Sequence, residues 1–254
     1  MIGTLNTRCY ADSESQRQFL IEQKIIKAKH LSVIGTGSLA GVNLDRFNPE
    51  RFSNQERQFV RNKLGIPKDA SVILFVGRIT IDKGVRELLQ SFHQIKIAGG
   101  SAHLVFVGHL DLESGVEGGL SPNEIDAIPD THRISYTEYP EEYMAIASLL
   151  CLPSYREGFG TVVIEAAAMG VPTVGSDIYG LSDAVVNHES GILVPPRDSA
   201  ALASALSTLL TDEKLRAKMG AAAKHRVKLL FDANKVNEMV IDEYCNLLDG
   251  RKVH

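Results

Sequence analysis

The chain has 254 residues, 44% hydrophobic and 23% charged, with 27 Lys and Arg against 31 Asp and Glu for a net charge of −4. A chain of this length buries roughly 70–75% of its unfolded surface and so needs neither disulfides nor structural metal to form a core. The charge balance argues against nucleic acid as a main partner, and 21 Gly with 9 Pro exclude a collagenous or low-complexity chain.

The N-terminus lacks the basic-then-apolar pattern of a secretion signal. Within residues 1–30 one helix is expected. Ser13 with Gln16 three residues later reads as a capping box, and Phe19, Leu20 and Ile26 supply a thin apolar stripe. A strand-like run over 31–34 follows, then Gly35-Thr36-Gly37-Ser38-Leu39-Ala40-Gly41 and a polar connector through Pro49. From about residue 71, short β-branched runs alternate with helix-period segments, the pattern of parallel βαβ units in an α/β fold with helices on both faces of the sheet. Strands are expected at 72–76, 104–107, 149–152, 173–174 and 192–194. Val85, Leu88, Leu89, Phe92 and Ile95 share one helix face, and residues 161–169 are apolar almost all round, which places that helix inside the fold. Gly170 and Pro172 end it. After residue 197 the chain reads as helical, with a final stripe of Val236, Met239, Val240, Tyr244 and Leu247. No apolar run reaches the ~18–20 residues of a membrane span, although a peripheral contact with the inner face of a membrane is compatible with the composition. Cys9, Cys151 and Cys245 are odd in number, far apart and outside any zinc spacing, as expected for reduced thiols of a cytoplasmic protein.

Two segments carry chemistry. In FVGRITIDKGVRELL a strand ends, Gly77 and Arg78 form a turn, and Lys83-Gly84 opens an amphipathic helix. A glycine lets backbone approach an anion, the helix start offers free N–H groups, and Arg78 and Lys83 can converge on a diphosphate. Charge exposure alone favours reading the pair as solvated surface, and its placement at a strand-to-helix turn brings the anion site level with that reading. In SYREGFGTVVIEAAAMGVPTV, Glu157 precedes Gly158-Phe159-Gly160 and Glu165 sits in the apolar helix, where a carboxylate needs a partner. Sugar hydroxyls would serve, as would a salt bridge for Glu165 or the helix dipole for Glu157. GTGSLAG follows a strand, yet no helical period follows it, which argues against a nicotinamide dinucleotide loop. Asp111 and Glu113 lack a third oxygen ligand for a hard cation, His109 and His188 read as solvent or packing residues, and no Ser-His-Asp set can be assembled.

With those residues in view, the chain resembles the C-terminal, donor-binding half of a retaining glycosyltransferase of the GT-B type, glycosyltransferase family 4-like and of the glycosyl transferases group 1. The matching segments are GSLAGVNLDRFNP, FVGRITIDKG, PSYREGFGTVVIEAAAMGVPTV and GLSDAVVNHESGILVPPRDSAALASAL. The resemblance implies a Rossmann-like parallel sheet with a helical C-terminus, divided into a remnant of the acceptor domain and linker (1–34), a nucleotide-sugar-binding domain (35–231) and a C-terminal helix (232–254). It implies that Arg78 and Lys83 hold the donor diphosphate, that Glu157 meets the sugar, and that Gly77 and the backbone of Gly158, Phe159 and Gly160 line the site. Thr161 and Val162 would offer N–H groups to phosphate, Glu165 would bind ribose, and Tyr136 and Thr137 would lie near the base. The donor would be a nucleotide-diphosphate sugar, plausibly UDP-linked, with no metal or other cofactor. The acceptor, a glycan or lipid-linked sugar of cell-surface polysaccharide, would bind a preceding domain that the chain is expected to lack. The rival expectation is a binding module, catalytically incomplete until a separate acceptor-domain chain docks on it. Gly108-His109-Leu110-Asp111 departs from the Gly-rich turn that relatives often have at that point.

Overall fold

The computed structural model describes residues 8–111 and 120–250. Short strands β1 (Cys9–Tyr10) and β2 (Leu31–Ser32) pair in parallel around helix α1 (Glu14–Glu22). The helix expected in residues 1–30 is present at Glu14–Glu22 with Ser13 as its cap, and within the described residues 8–30 a short strand precedes it and a 3₁₀ turn (Ala28–His30) follows. The Ser13 hydroxyl accepts from Gln16 N–H at 3.1 Å, but the Gln16 side chain accepts from Asp12 N–H at 2.8 Å and not from the cap itself, so the predicted box is only half formed. No α-helix opens after the glycine-rich segment until α2 (Asn54–Leu64), which follows a 3₁₀ turn at Pro49–Arg51 and begins at a full Ser53/Glu56 capping box.

The main sheet has six parallel strands: β3 (Val72–Val76), β4 (His103–Val107), β5 (Thr131–Ile134), β6 (Leu149–Leu152), β7 (Thr173–Ser176) and β8 (Gly191–Val194), in the order β5-β4-β3-β6-β7-β8. All but β5 are buried nearly throughout, and all of these but β7 (TVGS) are predominantly apolar, as a sheet covered on both faces requires. Between the strands run α3 (Val85–Ile97), α4 (Pro122–Asp126), α5 (Pro140–Met144), α6 (Thr161–Ala168) and α7 (Leu181–Ala184). The C-terminal part comprises α8 (Ser199–Thr211), α9 (Glu213–Leu230) and α10 (Ala233–Leu248). The chain winds one way from β3 to β5 and the other way from β6 to β8. Right-handed crossovers then set α3 and α6 on opposite faces, where they pack on α8 and α9. The strand expected at 173–174 runs two residues further, and β5, with sequence THRI, gives no apolar signal because it is the less buried of the two edge strands. Glu113 lies outside the described residues. Among those described, no helix is long and apolar enough to cross a membrane.

Candidate functional site

Reversal of the strand order between β3 and β6 opens a crevice at the carboxyl ends of those strands, where doubly wound sheets bind their ligands. The loops leaving the two strands are locked together. Gly84, at φ 68°, ends a 3₁₀ turn over Ile81–Lys83, and a Cβ there would fall 2.0 Å from Pro153 O. Only glycine permits this approach. It sets Lys83 across from the loop after β6, where Lys83 Nζ donates to Glu157 Oε1 at 2.6 Å. The Ser154 hydroxyl donates to the same oxygen at 2.7 Å. Arg78 is 62% exposed, and its guanidinium lies 3.9 Å from Asp82, a loose contact that leaves it free to turn toward an anion.

Gly160, at φ 79°, starts α6, whose first residues Thr161 and Val162 border the crevice with unpaired helix-start N–H groups nearby. A cavity of about 580 Å³ is lined by Gly77, Arg78, Lys83, Glu157, Gly158 and Phe159 together with these residues and Glu165. A second, of about 430 Å³, shares Gly77, Arg78 and Glu165 and adds Tyr136, Thr137 and His109. All the residues singled out in the sequence for a donor thus border one or the other of two adjoining cavities that share Gly77, Arg78 and Glu165. The Phe159 ring is buried edge-on against Phe231 at 5.2 Å.

Glu165 makes no salt bridge among the described residues, which removes that alternative. Burial pushes its carboxyl up to about 7; the nearby Arg46 charge pulls it back, and Glu141 adds to the rise. Arg46 is committed elsewhere, bidentate to the buried Glu141 at 3.0 and 2.8 Å and bonded to Glu138 O. Sequence reading missed Asp12, Ser38, Leu39 and Ala40, which line the larger cavity, and Arg46, which lines the smaller. The glycines around Ser38 were a signal, set aside because they do not open a helix; Asp12 gave none.

The sequence profile of the family described as "Glycosyl transferases group 1" matches residues 56–226. The capsular polysaccharide biosynthesis glycosyltransferase CapM of Staphylococcus aureus is 32% identical over 246 residues, covering 95% of this chain and 62% of that protein. The putative teichuronic acid biosynthesis glycosyltransferase TuaC of Bacillus subtilis is 29% identical over 86% of this chain and 52% of its own length. The chain thus spans little more than half the length of these curated relatives. Among solved structures, a sucrose-phosphate synthase from Thermosynechococcus elongatus matches with a TM-score of 0.80 at 28% identity, over 95% of this chain and 59% of that one. Anabaena HepE in complex with UDP-glucose matches with a TM-score of 0.83 at 20% identity, over 94% and 64%, a likeness of fold.

Proposed function

The chain belongs to the group 1 glycosyl transferases, and from that premise we propose that its crevice binds a nucleotide-diphosphate sugar whose sugar is transferred, with retention of configuration, to a glycan or lipid-linked acceptor. The observation that carries this reading is the meeting of Lys83 and Glu157 from two loops beside Arg78 and Glu165 at the turn of the strand order. The bond between the anomeric carbon and the diphosphate breaks and its electron pair stays on the diphosphate; the acceptor hydroxyl oxygen bonds to the carbon from the same face, and its proton passes to the departing diphosphate. Arg78 and Lys83 receive the charge that builds up, and one preorganised donor at such a position is worth about 3 kcal/mol of barrier. Glu157 has one oxygen occupied by Lys83 and Ser154 and the other available to a sugar hydroxyl. Glu165 accepts from ribose, Thr161 and Val162 turn N–H groups to phosphate, and Tyr136 and Thr137 lie beside the base. No metal takes part in this scheme.

CapM is a capsule-building enzyme by name, and surface polysaccharide is the acceptor class we assign here. The cytoplasm is the assigned location, which suits three free thiols. UDP is the nucleotide to try first, since HepE, alike in fold, holds UDP-glucose. Calorimetric titration of UDP, GDP and their hexose conjugates tests the proposal. Glu165→Ala should weaken free nucleotide and nucleotide sugar alike by ~10–100-fold, whereas Glu157→Ala should weaken chiefly the sugar conjugate. A folded chain that binds none of the four has no donor site.

A further inference from the structure

The segment entering α1 is pinned along its backbone. Ala11 N–H donates to Ser32 O at 2.9 Å, Asp12 N–H to Gln16 Oε1 at 2.8 Å, and Ser38 N–H to Asp12 O at 2.7 Å. The Asp12 side chain, by contrast, has no hydrogen bond or ion pair among the described residues, and it lines the larger cavity. It stands over Gly158, where a Cβ would lie 3.1 Å from Asp12 Oδ2. A half-buried carboxylate without a partner has lost hydration that hydroxyl donors restore, while a diphosphate would only repel it.

Asp12, Glu157 and Gly158 border only the larger cavity, whereas Arg78 and Glu165 border both. The crevice therefore has an end with two acidic acceptors and an end that opens toward Tyr136. We propose that Asp12 is a specificity-determining residue of the donor site, its carboxylate accepting hydrogen bonds from hydroxyls of the transferred sugar; this rests on the donor-site reading above. With Glu157 it holds the polyhydroxylated end of the donor away from the nucleotide end. The free carboxylate also disfavours the reversed orientation, which would set phosphate against it.

Calorimetry on the full 254-residue chain with UDP, GDP, UDP-glucose and GDP-mannose tests this, comparing the unaltered chain with Asp12→Asn and Asp12→Ala. Both substitutions keep the three backbone bonds that pin this segment, and thermal melting reports the fold. The affinity for the preferred nucleotide sugar should fall ~10-fold or more, while that for its free nucleotide changes by less than about twofold. Equal losses for both would make the effect structural and overturn the proposal. A gain in free-nucleotide affinity would place the carboxylate against the diphosphate, and no change in either would leave Asp12 outside the site; both outcomes also overturn it. If the unaltered chain binds none of the four ligands, the donor site itself falls; if it binds and the Asp12 variants match it, only the present assignment does.

Discussion

Glu165 shows how one side chain can link folding and binding. Its carboxyl, ordinarily near 4.5, is pushed up to about 7, mainly by burial. The folded state thus holds a proton that the unfolded chain releases. Stability from the neutral form is complete below about pH 4.5 and is lost as pH rises through 7. Glu165→Gln should therefore raise stability at pH 8 by about 1–3 kcal/mol and change little at pH 4, as measured by chemical denaturation at both values. Ribose hydroxyls bind the ionised carboxylate best, so affinity for UDP-glucose should increase from pH 6 to pH 8 and the Gln variant should flatten that rise. Arg46 would lower the carboxyl further if Glu141 did not hold it.

Elements matter here through the loops that leave them. Gly84→Ala would put a methyl group 2.0 Å from Pro153 O in a backbone conformation that alanine disfavours. The expected loss is at least about 2 kcal/mol in denaturant unfolding, together with weaker nucleotide binding, because Lys83 would no longer meet Glu157. A variant as stable as its parent would mean the two loops are not locked. That lock joins residues far apart in sequence, yet each half was readable, since Arg78 with Lys83 and Glu157 with Glu165 each fall within nine residues on a strand-to-helix turn. The strands 72–76 and 149–152 were equally readable because burial on both faces demands unbroken apolar runs. Edge strand β5 was not, since one exposed side tolerates Thr131, His132 and Arg133. Asp12 and Arg46 reach the crevice through long-range contacts that leave no local pattern, the Asp12–Ser38 backbone bond and the Arg46–Glu141 pair.

At the scale of the whole molecule, the first and last described segments meet behind the crevice. Val42 N–H donates to Phe231 O at 2.7 Å and Ala233 N–H to Val42 O at 2.9 Å, which fixes the start of α10 against the connector. Val236 is buried, Met239 packs over Gly35, and the Tyr10 hydroxyl donates to Glu243 at 2.5 Å. Beyond that seam the expected apolar stripe is not covered: Tyr244 and Leu247 are exposed, and Leu248 beside them, outside the stripe, is 87% exposed. The two halves of α10 should therefore respond differently to substitution. Tyr244→Glu or Leu248→Glu should change stability by less than about 0.5 kcal/mol, and Val236→Ala should cost about 2 kcal/mol. Because α10 holds, through the Val42 backbone bonds and Met239, the connector that carries Ser38, Leu39 and Ala40 into the crevice, loosening its inner half by Val236→Ala should weaken nucleotide-sugar binding while the Glu substitutions leave it alone. Denaturation and titration of the three variants would check both effects, and a large loss of stability in Tyr244→Glu would show that the outer face of α10 is packed in solution.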